Sequence, residues 1–99
     1  MPPLIRDGFV WATGTKDEAG ARARLHDCTL DDCIGDVASP VLVVHGRHDA
    51  IFKAAQAERI AAALPDNGKL WMVEDGVHCC HNRAFEVRTG MVDWLVEQL

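Results

Sequence analysis

Two residues combine the types and the placement needed for proton transfer: Asp49, in Gly46-Arg47-His48-Asp49, and His78, in Asp75-Gly76-Val77-His78. Each closes a short polar stretch that follows an apolar run. A buried carboxylate accepting a hydrogen bond from one imidazole nitrogen fixes the tautomer and stabilises the imidazolium, leaving the other nitrogen as a general base. Such a pair needs a group to activate. The sequence holds one serine, Ser39, directly ahead of Pro40, and no glycine pair brackets it.

Other candidates carry less. His45 ends an apolar run and reads as a hydrogen-bonded core or loop histidine, and His48 as a surface residue beside the acid. His78-Cys79-Cys80-His81 invites a zinc reading, but adjacent cysteines lack the C-x₂₋₄-C gap that lets two thiolates reach one ion, and the histidine spacing falls short of H-x₃₋₅-H. Cys28 and Cys33 have an allowed gap without a matching second half. Cys79 has only its nearness to His78 to recommend it as a nucleophile. No metal and no cofactor is therefore expected. Met1-Pro2-Pro3-Leu4-Ile5-Arg6-Asp7 has neither a charged n-region nor an apolar h-region, so the expectation is a cytoplasmic protein whose four cysteines are free thiols.

The elements that must position Asp49 and His78 are two strands. Pro40-Val41-Leu42-Val43-Val44-His45-Gly46 is a continuous β-branched run without alternation, the pattern of a parallel strand buried on both faces. Leu70-Trp71-Met72-Val73 is a second, ended by Glu74-Asp75-Gly76. Between them Ala54 to Leu64 reads as a helix with Ala57, Ile60, Ala61 and Leu64 on one face, stopped by Pro65-Asp66-Asn67-Gly68. A second amphipathic helix is expected from Ala84 to Leu99, with Phe85, Val87, Met91, Val92, Trp94, Leu95 and Leu99 mostly inward, Asn82 as N-cap, and Gly90 as an intrinsic cost of about 1 kcal/mol. Upstream, Thr15-Lys16-Asp17-Glu18 has the spacing of a capping box for a helix from Lys16 to Leu25. Phe9-Val10-Trp11 has no assignable pattern, and residues 26–39 read as a connection. In open α/β sheets functional groups collect at the carboxyl ends of neighbouring strands, which is where Asp49 and His78 fall.

With these residues in place, the stretch from Pro40 to Asp49, the run Leu70 to His78 and Val92-Asp93-Trp94-Leu95 resemble the carboxyl-terminal part of an α/β-hydrolase. Cys79-Cys80-His81-Asn82 resembles the branch that contains the dihydropseudooxynicotine hydrolases and the fermentation/respiration-switch esterase-like, dipeptidyl aminopeptidase-like proteins. The resemblance implies a partial α/β-hydrolase fold: a βαβα unit with parallel strands over residues 36–99, preceded over 1–35 by a short helical remnant of a lid or connecting segment. It implies that Asp49 is the triad acid and His78 the triad base. A family member carries its serine in a G-x-S-x-G elbow ahead of the acid, and these 99 residues contain none.

Length and charge narrow the rest. A chain of 99 residues can bury one modest core, and 15 acidic against 10 scattered basic residues gives a net charge of −5, which disfavours nucleic acid. No apolar run approaches the roughly 20 residues of a membrane span. The function the resemblance implies is that of a serine-hydrolase fragment, inactive alone, acting on an ester, amide or carbon–carbon bond of a small molecule only in the complete enzyme. The alternative is a non-catalytic, partner-binding or self-associating α/β module. Two strands with apolar faces and open edges ask for neighbours, supplied by an upstream segment or by a second copy.

Overall fold

The computed structural model describes residues 2–99, in the order α1 (Pro3–Thr13), α2 (Glu18–Leu25), a 3-10 turn (Ile34–Asp36), β1 (Val41–Gly46), α3 (Ala54–Ala63), β2 (Gly68–Val73), a short helical segment (His78–Arg83) and α4 (Ala84–Gln98). The described residues up to Asp32 form one compact unit, and Cys33–Leu99 form another. Among the described residues no helix is long and apolar enough to cross a membrane.

In the first unit, Phe9, Val10 and Trp11, a run too short to show a period, lie in α1. The signals were at its ends. Pro3 opens the helix, where a missing N–H is harmless, and Gly14 closes it with φ +64°. The Gly14 and Thr15 N–H groups then donate back to the Trp11 and Val10 carbonyls, at 3.1 Å each, as in a Schellman cap. The capping-box expectation is corrected at α2. Asp17, not Thr15, is the N-cap, accepting the Gly20 N–H at 2.8 Å, so the helix starts at Glu18 rather than Lys16. Thr15 is turned toward the Thr13 hydroxyl, and Glu18 pairs with Arg22 instead of reaching back.

The second unit holds the strands, parallel and in register from Val41 opposite Gly68 to Gly46 opposite Val73. Both therefore end together, and the segments that follow them leave the sheet side by side. Asn67 fixes the opposite end: its amide donates to the Val37 and Ser39 carbonyls at 2.9 and 2.6 Å. Ser39 thus sits at the amino end of β1, a full strand length, roughly 20 Å, from the carboxyl end.

Alternation puts Val44, Trp71 and Val73 on one face, where they pack with Cys80 and Val87. The helix α3 packs against both strands and buries Ala57. Full burial of β1 does not occur: Val41 to His45 are all only half-buried, because β2 is the one strand beside them and the sheet has two members. The inward face expected for α4 is also narrower. Val87 is buried and Gly90 and Trp94 half-buried, while Phe85, Met91, Val92, Leu95 and Leu99 are exposed. Gly90 explains the choice of face, since a Cβ there would stand 2.6 Å from the Trp71 ring. Its helix cost is offset by that close approach.

Candidate active site

The site is assembled by a backbone contact between the two strand ends. A Cβ on Gly46 would lie 2.4 Å from the Val77 carbonyl oxygen and 2.5 Å from that of Gly76, so only glycine lets these segments touch. The His48 N–H donates to the Gly76 carbonyl at 2.9 Å, and the Arg47 N–H to Val73 at 2.9 Å. Outside the contact, Arg47 grips Glu74 with two bonds of 2.8 and 2.9 Å and Glu58 on α3 with one of 3.0 Å. These groups are exposed, so solvent screens the cluster and it serves chiefly to fix geometry.

Past Gly46 the chain turns back on itself around Asp49. Oδ1 accepts the N–H groups of Ile51 and Phe52 at 2.7 and 2.9 Å, an Asx turn of the kind short acidic side chains form. Oδ2 is left facing the other loop, where it accepts Nδ1–H of His78 at 2.9 Å. The structure therefore brings the two candidate residues into direct contact. Asp49 is almost wholly buried, with 4% of its side chain exposed, whereas 35% of His78 is exposed. Burial pushes the Asp49 carboxyl up, but the Phe52 N–H, His78 and the Ile51 N–H together outweigh it and hold the group below the usual carboxylate range.

The sign of that shift gives a testable pH dependence. On acidification the unfolded chain takes up the proton first, so the Asp49 contribution to stability is complete above about pH 5 and is lost as pH falls through the depressed folded value. Urea midpoints followed from about pH 6 to about pH 3 are expected to fall more steeply for the wild type than for Asp49→Asn.

An ionised Asp49 can only accept, so His78 carries its proton on Nδ1 and presents Nε2 as the basic atom. Phe52 packs on the imidazole, with ring centroids 5.8 Å apart and planes inclined by 40°. Beyond His78 the backbone is strained: Cys79 and Cys80 both take positive φ, 54° and 52°, at a typical cost of about 1–3 kcal/mol each. The turn is held by the Cys80 N–H to the Val77 carbonyl at 2.8 Å and by Asn82, which accepts the Val77 N–H at 3.0 Å and donates to the Asp75 carbonyl at 2.7 Å. Asn82 is therefore not the N-cap of α4, whose N-cap, Arg83, makes no side-chain cap bond. Its side chain faces the loop instead. Asn82→Ala is expected to lower stability by about 1 kcal/mol, measured as a shift of the urea midpoint at unchanged slope.

The adjacent cysteines divide their roles. Cys79 is exposed, while Cys80 is buried in the core cluster, and burial pushes its thiol up, away from the reactive thiolate. Among the described residues, no three histidine, cysteine or acidic side chains gather as a metal site would require. His48 is exposed beside the acid.

Asp49, Phe52 and His78 line a cleft of about 910 Å³ that continues along β1 between α3 and α4. Val43 and Val44 both border it, and since their side chains point to opposite faces, the cleft wraps the unpaired edge of the strand. Phe52 is a contributor that the sequence does not mark, since only the Asx turn of Asp49 places it. His45 is the hydrogen-bonded histidine expected, bound to the Phe52 carbonyl at 2.9 Å, and it also comes within 3.9 Å of Asp49.

No family model matches the chain. The 2,6-dihydropseudooxynicotine hydrolase of Paenarthrobacter nicotinovorans is 31% identical over 101 aligned residues, which take in 98% of this chain and 27% of that protein. A crystal structure of 2,6-dihydroxy-pseudo-oxynicotine hydrolase matches with a TM-score of 0.91 at 27% identity, covering 100% of this chain and 28% of the other. The matched region is the C-terminal part of the curated relative, so the 99 residues span about a quarter of its length.

Proposed function

We propose that this chain, whose sequence and fold are similar to those of the C-terminal part of an α/β-hydrolase, supplies the acid and base of a serine-hydrolase active site. The observation that carries the reading is the 2.9 Å bond from His78 Nδ1 to a buried Asp49. In the proposed mechanism Asp49 orients His78, and Nε2 takes the proton of a serine hydroxyl as it attacks a carbonyl carbon, then returns it to the leaving group. The reaction class is cleavage of an ester, amide or activated carbon–carbon bond in a small molecule, in the cytoplasm.

The nucleophile has to come from outside these residues. Ser39 lies at the wrong end of β1 and has no elbow. The open edge of β1 and the cleft along it are the place for a strand of the segment that carries the elbow, with residues 1–35 as the end of a lid-like insertion. The chain alone is expected to leave p-nitrophenyl esters unhydrolysed. Co-expression with the part of the curated relative that precedes the matched region is expected to give turnover that vanishes in His78→Ala. Turnover by the chain alone, or by the combination carrying His78→Ala, would contradict the proposal.

The same open edge favours a second reading, a non-catalytic module that pairs with a partner or with its own copy. Light scattering separates the two: self-association that persists when the complementing segment is present supports the module.

A further inference from the structure

His45 lies outside the acid–histidine pair yet is built into it. It is the penultimate residue of β1, on the face opposite Val44, only 15% of its side chain is exposed, and Nε2 stands 2.9 Å from the Phe52 carbonyl oxygen. A carbonyl can only accept, so Nε2 carries a proton in every charge state of this histidine. The same nitrogen is 3.9 Å from Asp49 Oδ2, the oxygen that receives His78.

Phe52 links the three groups. Its N–H donates to Asp49 Oδ1, its ring packs on His78 and its carbonyl is held by His45. The turn from Asp49 to Phe52 has no regular secondary structure, and the His45 bond ties its far end directly to the strand. Without it the turn keeps the two bonds within itself and the Asp49 N–H to the Gly46 carbonyl at 3.1 Å, which fix its shape and its near end but leave the Phe52 end held only through the chain that leads into α3.

We propose that His45 is a positioning residue for the Asp49–His78 pair: by holding the Phe52 carbonyl to the end of β1, it aims Asp49 Oδ2 at His78 and keeps the Phe52 ring against the imidazole. The inference rests on the reading of Asp49 and His78 as acid and base. Glutamine can place an amide donor close to where Nε2 stands, whereas leucine fills the space and donates nothing.

The test is proton NMR of the 99-residue chain, following the low-field Nδ1 proton of His78 that a bond to a buried carboxylate produces, together with turnover of the complemented protein. The expected result is a sharp signal in the wild type and in His45→Gln, its loss in His45→Leu, and a kcat lower by about 10- to 100-fold in His45→Leu with KM unchanged, restored by glutamine. Persistence of the signal in a folded His45→Leu chain overturns this inference alone. Absence of the signal from the wild type overturns the acid–base reading and this inference with it. The wild type also offers a check independent of any variant: nitrogen-15 shifts are expected to place the proton of neutral His45 on Nε2, and an Nδ1–H tautomer would overturn the role assigned to it.

Discussion

Gly46→Ala is expected to destabilise the Cys33–Leu99 unit by about 3 kcal/mol and to part Asp49 from His78. The added methyl would meet two backbone oxygens, those of Val77 at 2.4 Å and Gly76 at 2.5 Å, and neither can swing aside as a side chain could. The loop after β2 would have to retreat. That movement breaks the His48 N–H bond to the Gly76 carbonyl and carries His78, two residues on, away from the carboxylate. The effect is at the upper end for added volume because the strained Cys79–Cys80 turn directly downstream has little freedom to absorb a shift. Urea unfolding measures the stability, and loss of the His78 low-field proton measures the separation. Gly8→Ala is the matched control: nothing lies within 4 Å of its added Cβ, and within α1 it is expected to be neutral or mildly stabilising. Equal urea midpoints for Gly46→Ala and the wild type would show that the loops do not rely on this contact.

The second large effect is on rate. In the complemented protein, Asp49→Asn is expected to lower kcat by about 10⁴-fold, since an asparagine in that place can present its amide N–H to Nδ1 and favour the wrong tautomer of His78. His78→Ala is expected to remove about 10⁶-fold, the scale of losing the base of a serine hydrolase outright. The difference between the two separates roles: a residue that orients the base costs less than the base itself. Equal and small losses, within about tenfold, would mean that neither takes part in proton transfer.

The route from sequence to site was uneven for physical reasons. The strands were legible because an unbroken β-branched run bounded by proline and glycine has few other solutions, and from two parallel strands the meeting of Asp49 with His78 follows by topology. α1 was hidden because Phe9-Val10-Trp11 is too short to show a period, although Pro3 and Gly14 marked both its ends. The cap of α2 is ambiguous in the sequence because Asp17 and Thr15 both have capping side chains, and only their neighbours decide between them. Asn82 looked like a cap for the same reason, but loop carbonyl and N–H groups nearer in space claimed it. The value of Gly90 could not be read along the helix, because it depends on an indole that arrives from β2. The same holds for His45, whose partner Phe52 is set by a turn rather than by any periodicity.

What the sequence shows by composition, a short chain of ordinary globular make-up, the structure turns into a specific arrangement. Both outer edges of the two-stranded sheet are open, a cleft runs along that of β1, and an acid–base pair stands at its end. A two-stranded sheet depends on the helices packed against it, and the half-buried valines of β1 mark where that cover is thin. The open edge of β1, together with the lack of a serine elbow among these residues, is what favours the proposed complementing segment over a free-standing catalyst.

The most direct test of that central idea is labelling with a fluorophosphonate probe, which reports a serine activated by a histidine, followed by mass spectrometry to locate the label. The complemented protein is expected to carry the label on a serine of the complementing segment, with labelling abolished by His78→Ala, and the chain alone is expected to carry none. A label on Ser39 in the chain alone, or labelling of the complemented protein that is indifferent to His78, would contradict the account.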